Sequence, residues 1–351
     1  MNRNLSIHAY FHHLDEAHQP EFRFAGRDRA DWEQWRRGLQ PRLLQSLGAM
    51  PAAVPLNPQV LVEWQEDGLV KQKVIFDVED GLSAIAYVFR PLHAGGRLPA
   101  ILACHGHGPF GKEAVMGNRS TPELAAHIAR LNYDYGLQMA RAGFVTMAID
   151  WRGFGERDDR NKPHYRTVGG GNNTGDLCNV HFLRAALLGR TLLGMDIHDG
   201  RRALDYLCQQ DFVDPQRLGV MGLSFGGTMA TWMSIADPRI QAADVICYSD
   251  RFAFFALRDV NFCGSQMTPG LYALCDVPDL QGLIAPRPLL VEIGIHDECF
   301  RFEGALECFH EVEKIYQAAG SRDRLELDLF PGEHSWGANR SIPFFRKYLQ
   351  G

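Results

Sequence analysis

The stretch that decides the fold of this chain is LGVMGLSFGGTMATWMSIA, residues 218–236. An apolar run typical of a buried strand leads into the motif GLSFG, centred on Ser224, and a run of helical character follows directly. A serine on so tight a turn has a strained backbone, and the flanking glycines leave room for the chain to double back. The pattern predicts a nucleophile elbow, with the Ser224 hydroxyl above a strand end and the Phe225 N–H at a helix N-terminus.

The segments around this turn alternate between short apolar runs and longer helical patterns. From Val60 to about residue 106 the runs are β-rich and separated by turns, which predicts an antiparallel entry into a sheet. Beyond them, helical patterns separate the strand-like runs FVTMAID, RLGVMG, DVICY, RPLLVEIG and LELDLF. This alternation predicts an α/β fold with a mainly parallel, doubly wound sheet and helices on both faces, whose chemistry lies at the carboxyl ends of the strands.

Residues 1–58 are predicted to form an N-terminal helical extension, and residues 59–351 the catalytic domain. In the extension, Asp31 is expected to cap one helix and Pro41 to open a second. The proline-rich run PAAVPLNP then resembles a linker. The apolar face of the extension could pack on its own domain or on a partner subunit, so a homodimer stays open.

An activated serine needs a base, and the base needs a group that orients it. With a nucleophile elbow of this kind the chain order is serine, acid, histidine. His334, in FPGEHSWG after the last strand, is the predicted base, and Asp297, in GIHDE after RPLLVEIG, the acid that accepts its Nδ1–H. Asp250, at the end of the preceding strand, is the alternative acid, and Glu298 fits a surface charge.

A second oxyanion donor is expected from CHGHG, residues 104–108, which follows the strand-like run PAILA. The backbone N–H of His107 would act there together with that of Phe225. The alternative is a metal site formed by the side chains of His105 and His107. The glycines favour a turn, and no third ligand lies at a recognisable spacing, so we expect neither a metal nor an organic cofactor.

The composition excludes several classes of partner. The net charge of −6 at pH 7 and the absence of a basic run argue against nucleic acid. The eight cysteines are scattered without a CxxC pair, which favours buried free thiols in a reducing compartment. The N-terminus lacks the apolar run of a signal peptide, and no segment reaches membrane-spanning length. We therefore expect a cytoplasmic protein that does not bind membranes.

Five motifs together resemble the dienelactone hydrolase and acetyl xylan esterase-like branch of the α/β hydrolases: CHGHG, AIDWRGFGER, DPQRLGVMGLSFGG, IGIHDECF and FPGEHSWG. They extend over roughly residues 60 to 350. The resemblance implies the α/β-hydrolase fold and a serine esterase that forms an acyl-enzyme on a small-molecule or carbohydrate ester, such as an acetyl or uronate ester. It also implies a structural role for Arg152 and Gly153. Dienelactone hydrolases use a cysteine nucleophile, so dienelactone is not the expected substrate.

The chain departs from acetyl xylan esterases by a long insertion, residues 154–182, predicted to be a loop that shapes the cleft and could act as a lid.

Two other functions stay open. DPQRLGVMGLSFGG is also similar to the elbow of prolyl-oligopeptidase relatives, but the 58 preceding residues cannot build their propeller domain. A non-catalytic binding protein on a hydrolase scaffold is the other alternative.

Overall fold

The computed structural model describes residues 3–93, 95–162 and 176–351. Its strands are β1 (Gln59–Glu66), β2 (Leu69–Glu79), β3 (Leu82–Pro91), β4 (Leu98–Cys104), β5 (Val145–Ile149), β6 (Val213–Leu223), β7 (Ile240–Ile246), β8 (Leu289–Gly294) and β9 (Leu325–Phe330). They form a nine-stranded sheet in the order β1-β2-β3-β5-β4-β6-β7-β8-β9.

The sheet changes from antiparallel to parallel pairing along its width. β1, β2 and β3 form an antiparallel meander, and β3 also pairs antiparallel with β5. All further neighbours, from β5 and β4 to β8 and β9, are parallel. Parallel neighbours need a crossover connection, which here contains helices. The predicted antiparallel entry and the mainly parallel sheet are both confirmed.

Helices cover both faces of this sheet. They are α1 (Ile7–Glu16), α2 (Arg29–Ser46), α3 (Lys112–Val115), α4 (Pro122–Leu131), α5 (Tyr135–Arg141), α6 (Leu177–Leu187), α7 (Leu192–Cys208), α8 (Phe225–Ala236), α9 (Leu271–Leu274), α10 (Val277–Gly282), α11 (Phe302–Ala318) and α12 (Ser341–Phe345). One core contains apolar side chains of α2, α7, α8 and α11, and the other those of α4, α5 and α12. Within the described ranges, none of these helices has both the length and the apolar character needed to cross a bilayer.

The prediction that a new helix opens at Pro41 is wrong, because α2 continues through Pro41 as a single helix. Its cap is Asp28, whose side chain accepts the N–H of Asp31, at 3.0 Å. Leu39 and Leu43, on either side of the proline, are fully buried in the core of the sheet. The stabilisation from packing on both sides of Pro41 therefore exceeds the cost of the helix hydrogen bond that proline, without an N–H, cannot make. The apolar face of α2 is covered by its own chain.

The region between β5 and β6 also differs from the prediction. The long helical pattern expected from Leu188 onward begins at Leu192, where Thr191 caps α7. Helix α6 occupies residues 177–187, part of which was expected to be loop. Gly189, at φ +69°, has the left-handed conformation that separates the two helices. The glycine-rich part of the predicted loop, residues 163–175, lies outside the described residues.

Candidate active site

Ser224 lies on the sharp turn between β6 and α8, with φ 62° and ψ −122°. A non-glycine residue with positive φ is strained, and the surrounding structure must hold it in place. The Ser224 N–H donates to the carbonyl of Ile246 on β7, at 2.9 Å. A Cβ at Gly222 would lie 2.4 Å from the Gly226 carbonyl oxygen, and one at Gly226 would lie 2.1 Å from that of Cys104. Both glycines are thus required by the close approach of three main-chain segments.

His334 and Asp297 form a hydrogen-bonded pair beyond the ends of β9 and β8. The distance from His334 Nδ1 to Asp297 Oδ2 is 2.8 Å. Asp297 Oδ1 accepts the N–H groups of Cys299 and Phe300, at 2.7 and 3.0 Å, so the buried carboxylate is held in one orientation. The Phe300 ring also stacks on the His334 ring, with centroids 5.8 Å apart. If Nδ1 carries the proton of the neutral ring, Nε2 is left as the basic nitrogen.

The strand ends connect this pair to the serine turn. Cys247 directly follows Ile246, the residue whose carbonyl accepts the Ser224 N–H. The Cys247 sulfur, a carboxylate oxygen of Asp297 and a ring nitrogen of His334 all lie within 4.8 Å of one another. Burial, and then the nearby Asp297, raise the pKa of the Cys247 thiol well above its ordinary value. The thiol is therefore a neutral packing group beside the histidine.

The alternative acid, Asp250, has a different environment. Its side chain is 2% exposed and accepts the N–H of Arg251, at 2.8 Å. Burial raises the pKa of Asp250 to about 7. The His334 Nδ1 atom contacts Asp297 instead. Glu298, the second carboxylate after β8, is exposed. The geometry therefore favours Asp297 as the partner of His334.

The turn after β4 passes directly over the serine turn. The Gly106 N–H donates to the Tyr133 hydroxyl, at 2.6 Å. A Cβ at Gly106 would lie 2.8 Å from the Leu223 carbonyl oxygen and 3.3 Å from the Ser224 Cβ. His107 follows Gly106 on this turn. Sequence reasoning did not identify the contribution of Tyr133, because nothing in the local pattern links it to a turn 27 residues away.

The alternative of a metal held by His105 and His107 fails because the His105 ring is fully occupied. Its Nδ1 bonds to the Gly106 carbonyl, at 2.8 Å, and its Nε2 accepts the Trp151 N–H, at 3.0 Å. Burial lowers the pKa of His105 to about 4, so its ring is neutral. His105 therefore fixes the turn after β4 against the turn after β5. His107 faces elsewhere, with Nε2 3.4 Å from the Cys178 sulfur.

The loop after β5 is anchored by a buried ion-pair network. Arg152 binds both carboxylate oxygens of Asp199, at 2.8 and 2.6 Å, and also pairs with Glu79, at 2.7 Å. Arg157 makes a further ion pair with Asp199, at 2.7 Å. Planar two-point contacts of this kind hold an arginine in one orientation. This arrangement agrees with the structural role that the resemblance implied for Arg152.

A mainly parallel sheet, a strained serine turn between a strand and a helix, and a carboxylate-bound histidine after the last strand define the α/β-hydrolase fold. A model of the Abhydrolase family matches residues 1–330, and the chain belongs to this family. The sequence is 28% identical over 314 residues to YtaP of Bacillus subtilis (strain 168), whose name describes it as a hydrolase. This match covers 88% of the present chain and 98% of its relative.

Solved structures show the same fold at lower identity. A protein from Bacteroides fragilis NCTC 9343 that is named as an acetyl xylan esterase superposes with a TM-score of 0.75 at 19% identity, over 94% of this chain and 83% of that one. A glucuronoyl esterase from Solibacter usitatus superposes with a TM-score of 0.64 at 16% identity, over 91% and 93% of the two chains.

Proposed function

We propose that this protein is a serine esterase that cleaves carboxylic esters through an acyl-enzyme. The observation that carries the proposal is the 2.8 Å hydrogen bond between His334 Nδ1 and Asp297 at the sheet edge that also bears the strained Ser224. The chemistry needs these three parts together. A hydroxyl is a weak nucleophile until a base removes its proton, and the base works only in the correct tautomer and orientation.

In the proposed reaction, Ser224 Oγ attacks the ester carbonyl while His334 Nε2 takes the hydroxyl proton. Asp297 stabilises the imidazolium that forms. The proton then passes to the departing alkoxide, which leaves as an alcohol. Water, activated by the same histidine, attacks the acyl-enzyme and releases the carboxylic acid with the serine restored.

The negative charge on the tetrahedral intermediate would be stabilised by the backbone N–H groups of Phe225 and His107. Phe225 is the first residue of α8, where an N–H has no carbonyl one turn earlier in the helix to bond with. His107 lies on the turn that Tyr133 and His105 hold over Ser224. Preorganised donors of this kind stabilise the transition state without having to reorient during the reaction.

We further propose that the substrate is a small-molecule or carbohydrate ester, with an acetyl or uronate ester as the first candidates. The support is kinship in fold: two structural neighbours are named as an acetyl xylan esterase and a glucuronoyl esterase. The relative YtaP, whose name says only hydrolase, is compatible with this substrate class.

The test is hydrolysis of an ester panel by the wild type and Ser224→Ala. The panel contains p-nitrophenyl acetate to octanoate, acetylated xylose and a methyl uronate. We expect Ser224→Ala to lose activity by about 10⁴-fold or more, as in other serine hydrolases that lose the nucleophile. The matched control is Ser234→Ala, a buried serine farther along the same helix whose hydroxyl only bonds the Ala230 carbonyl, at 2.7 Å.

A wild-type enzyme inert towards every ester, or a Ser224→Ala variant as active as the wild type, would contradict the proposal. A covalent adduct of an organophosphonate with Ser224 is expected, since such labelling requires an activated serine. Failure to form this adduct would favour a non-catalytic binding protein. If Ser224 forms the organophosphonate adduct but no ester is hydrolysed, the serine is activated and peptide substrates are to be tested next.

A further inference from the structure

Three side chains that could bind a metal converge beside the turn after β4. The ligand atoms of His107, Cys178 and Cys263 all lie within 4.8 Å of one another. Cys178 is near the start of α6, and Cys263 precedes the short 3-10 turn Gly264–Gln266. The three residues come from separate parts of the chain, so only the fold brings them together.

Their spacing fits a tetrahedral zinc ion. With Zn–S bonds of about 2.3 Å and Zn–N bonds of about 2.0 Å, two ligands of one ion lie roughly 3.5 to 3.8 Å apart. The distance from Cys178 Sγ to His107 Nε2 is 3.4 Å. Asp176 Oδ2 lies 3.6 Å from the same nitrogen. The Asp176 side chain is exposed and lies outside the group of mutually close ligand atoms, so it would have to rotate towards the two sulfurs to become the fourth ligand.

The environment of the two thiols suits a soft divalent cation. Cys178 and Cys263 are 1% and 5% exposed, whereas the His107 side chain is partly open to solvent, which offers an entry path. Binding one Zn²⁺ would release two thiol protons, and the two thiolates would balance the charge of the ion in a buried site.

The protein framework that holds these ligands is tightly packed. The Gly264 N–H donates to Asn179 Oδ1, at 2.9 Å, and joins the segment after Cys263 to helix α6. A Cβ at Gly264 would lie only 2.2 Å from the Phe182 Cβ. The two sulfur ligands are therefore held close together without the metal, which reduces the ordering that binding would have to impose.

We propose that His107, Cys178 and Cys263 form a binding site for Zn²⁺, with the Asp176 carboxylate as fourth ligand. The bound ion would connect the start of α6 to the turn that carries His107. This inference does not depend on the esterase proposal, because it concerns binding and stability rather than turnover.

The test uses full-length protein that is reduced, freed of metal with a chelator and kept anaerobic. Equilibrium dialysis against Zn²⁺ is expected to give one tightly bound ion per chain. Co²⁺ in its place is expected to give the near-ultraviolet absorption of a cobalt–thiolate bond. Zn²⁺ should also raise the melting temperature, since a ligand that binds only the folded state stabilises it.

The variants Cys263→Ser and His107→Asn are each expected to weaken Zn²⁺ binding by about tenfold or more and to lose most of the thermal shift. His107 is the more exposed ligand, so His107→Asn still tests the site if the buried Cys263→Ser fails to fold. The matched control is Cys208→Ser, a half-buried cysteine on α7 that should bind zinc as the wild type does.

The proposal is overturned if the wild type binds no stoichiometric Zn²⁺, or if His107→Asn and Cys208→Ser bind it equally well. A Cys178–Cys263 disulfide that persists in the reduced protein would also overturn it, because thiolates are then absent. Loss of zinc binding in Cys263→Ser with ester hydrolysis retained, or loss of hydrolysis in Ser224→Ala with zinc binding retained, would separate this inference from the proposed function.

Discussion

The Ser224 turn and the His334–Asp297 pair show how much of the candidate site rests on single contacts. The serine is held at φ 62° by neighbours that leave no space for a Cβ at either flanking glycine. The histidine is oriented by one carboxylate, which is itself fixed by two backbone N–H groups. Substitutions of one or a few atoms at these positions should have large and separable effects.

Asp297→Asn is expected to lower kcat by about 10³- to 10⁴-fold with little change in stability. An amide at this position stabilises the wrong tautomer of His334 and cannot balance the imidazolium charge. The measurement is kcat and KM on p-nitrophenyl acetate, with circular dichroism as a check on folding. Glu298→Gln, a change at the exposed neighbour, is the matched control. The assignment is wrong if Asp250→Asn abolishes turnover and Asp297→Asn does not.

Gly226→Ala should destabilise the protein by about 1 to 3 kcal/mol, the usual cost of forcing an extra methyl into a packed interior. The added Cβ would lie 2.1 Å from the Cys104 carbonyl oxygen, and this backbone atom cannot move away alone. The free energy of unfolding from urea titrations measures the effect. Gly95→Ala, where nothing lies within 4 Å of an added Cβ, is the control. Equal stability of the two variants would refute the packing argument.

At the level of elements, the site depends on how the turn after β4 is held against its neighbours. The Tyr133 hydroxyl, from the segment between α4 and α5, accepts the Gly106 N–H of this turn. His105 attaches the same turn to the Trp151 N–H after β5. The position of the His107 N–H is therefore set by elements that take no part in the proposed chemistry.

Tyr133→Phe is expected to cost about 1 to 3 kcal/mol, because it leaves the buried Gly106 N–H without an acceptor. It should also lower kcat more than it changes KM, since the neighbouring His107 N–H is proposed to act mainly on the transition state. Steady-state kinetics and urea unfolding measure the two effects. Tyr348→Phe, which loses an exposed bond to the Asp323 carbonyl at 3.3 Å and a contact with Lys347, is the control. Unchanged kcat in Tyr133→Phe would argue against an oxyanion role for this turn.

For the molecule as a whole, buried carboxyl groups should make stability depend on pH. Burial raises the pKa of Asp196, Asp279 and Glu292 each to about 7. A carboxyl whose pKa is higher in the folded state binds more protons folded than unfolded. Its stabilising contribution is complete below the unfolded pKa of about 4 and is lost as the pH rises towards 7.

Asp196→Asn is the substitution that tests this dependence. Asp196 is fully buried, and one of its oxygens accepts the Arg152 N–H, at 3.0 Å. The amide cannot ionise, so the variant should gain stability relative to the wild type between pH 5 and pH 7, by about 1 kcal/mol per pH unit. Urea unfolding at several pH values measures the difference, with the exposed Asp80→Asn as control. A constant difference across this range would contradict the expectation.

The amino-acid sequence by itself determined the strands, the serine turn and the mainly parallel sheet, because these features arise from residues close together in the chain. Apolar runs, glycines beside Ser224 and helical periodicity are local signals of buried strands, tight turns and helices. The order of motifs also placed His334 and two candidate acids after the correct strands. The proposed domain boundary at residue 58 and the possible homodimer stay predictions.

Only the tertiary structure decided which distant residues meet. Asp297 and Asp250 both follow strands, and the path of the loops brings Asp297 to His334. Pro41 lies inside a helix because the stabilisation from burying its apolar neighbours exceeds the cost of the helix hydrogen bond lost at proline. The grouping of His107 with two cysteines has no sequence spacing that would reveal it. Such contacts depend on the packing of whole elements, whose energies add up over many residues, and no short stretch of sequence contains them.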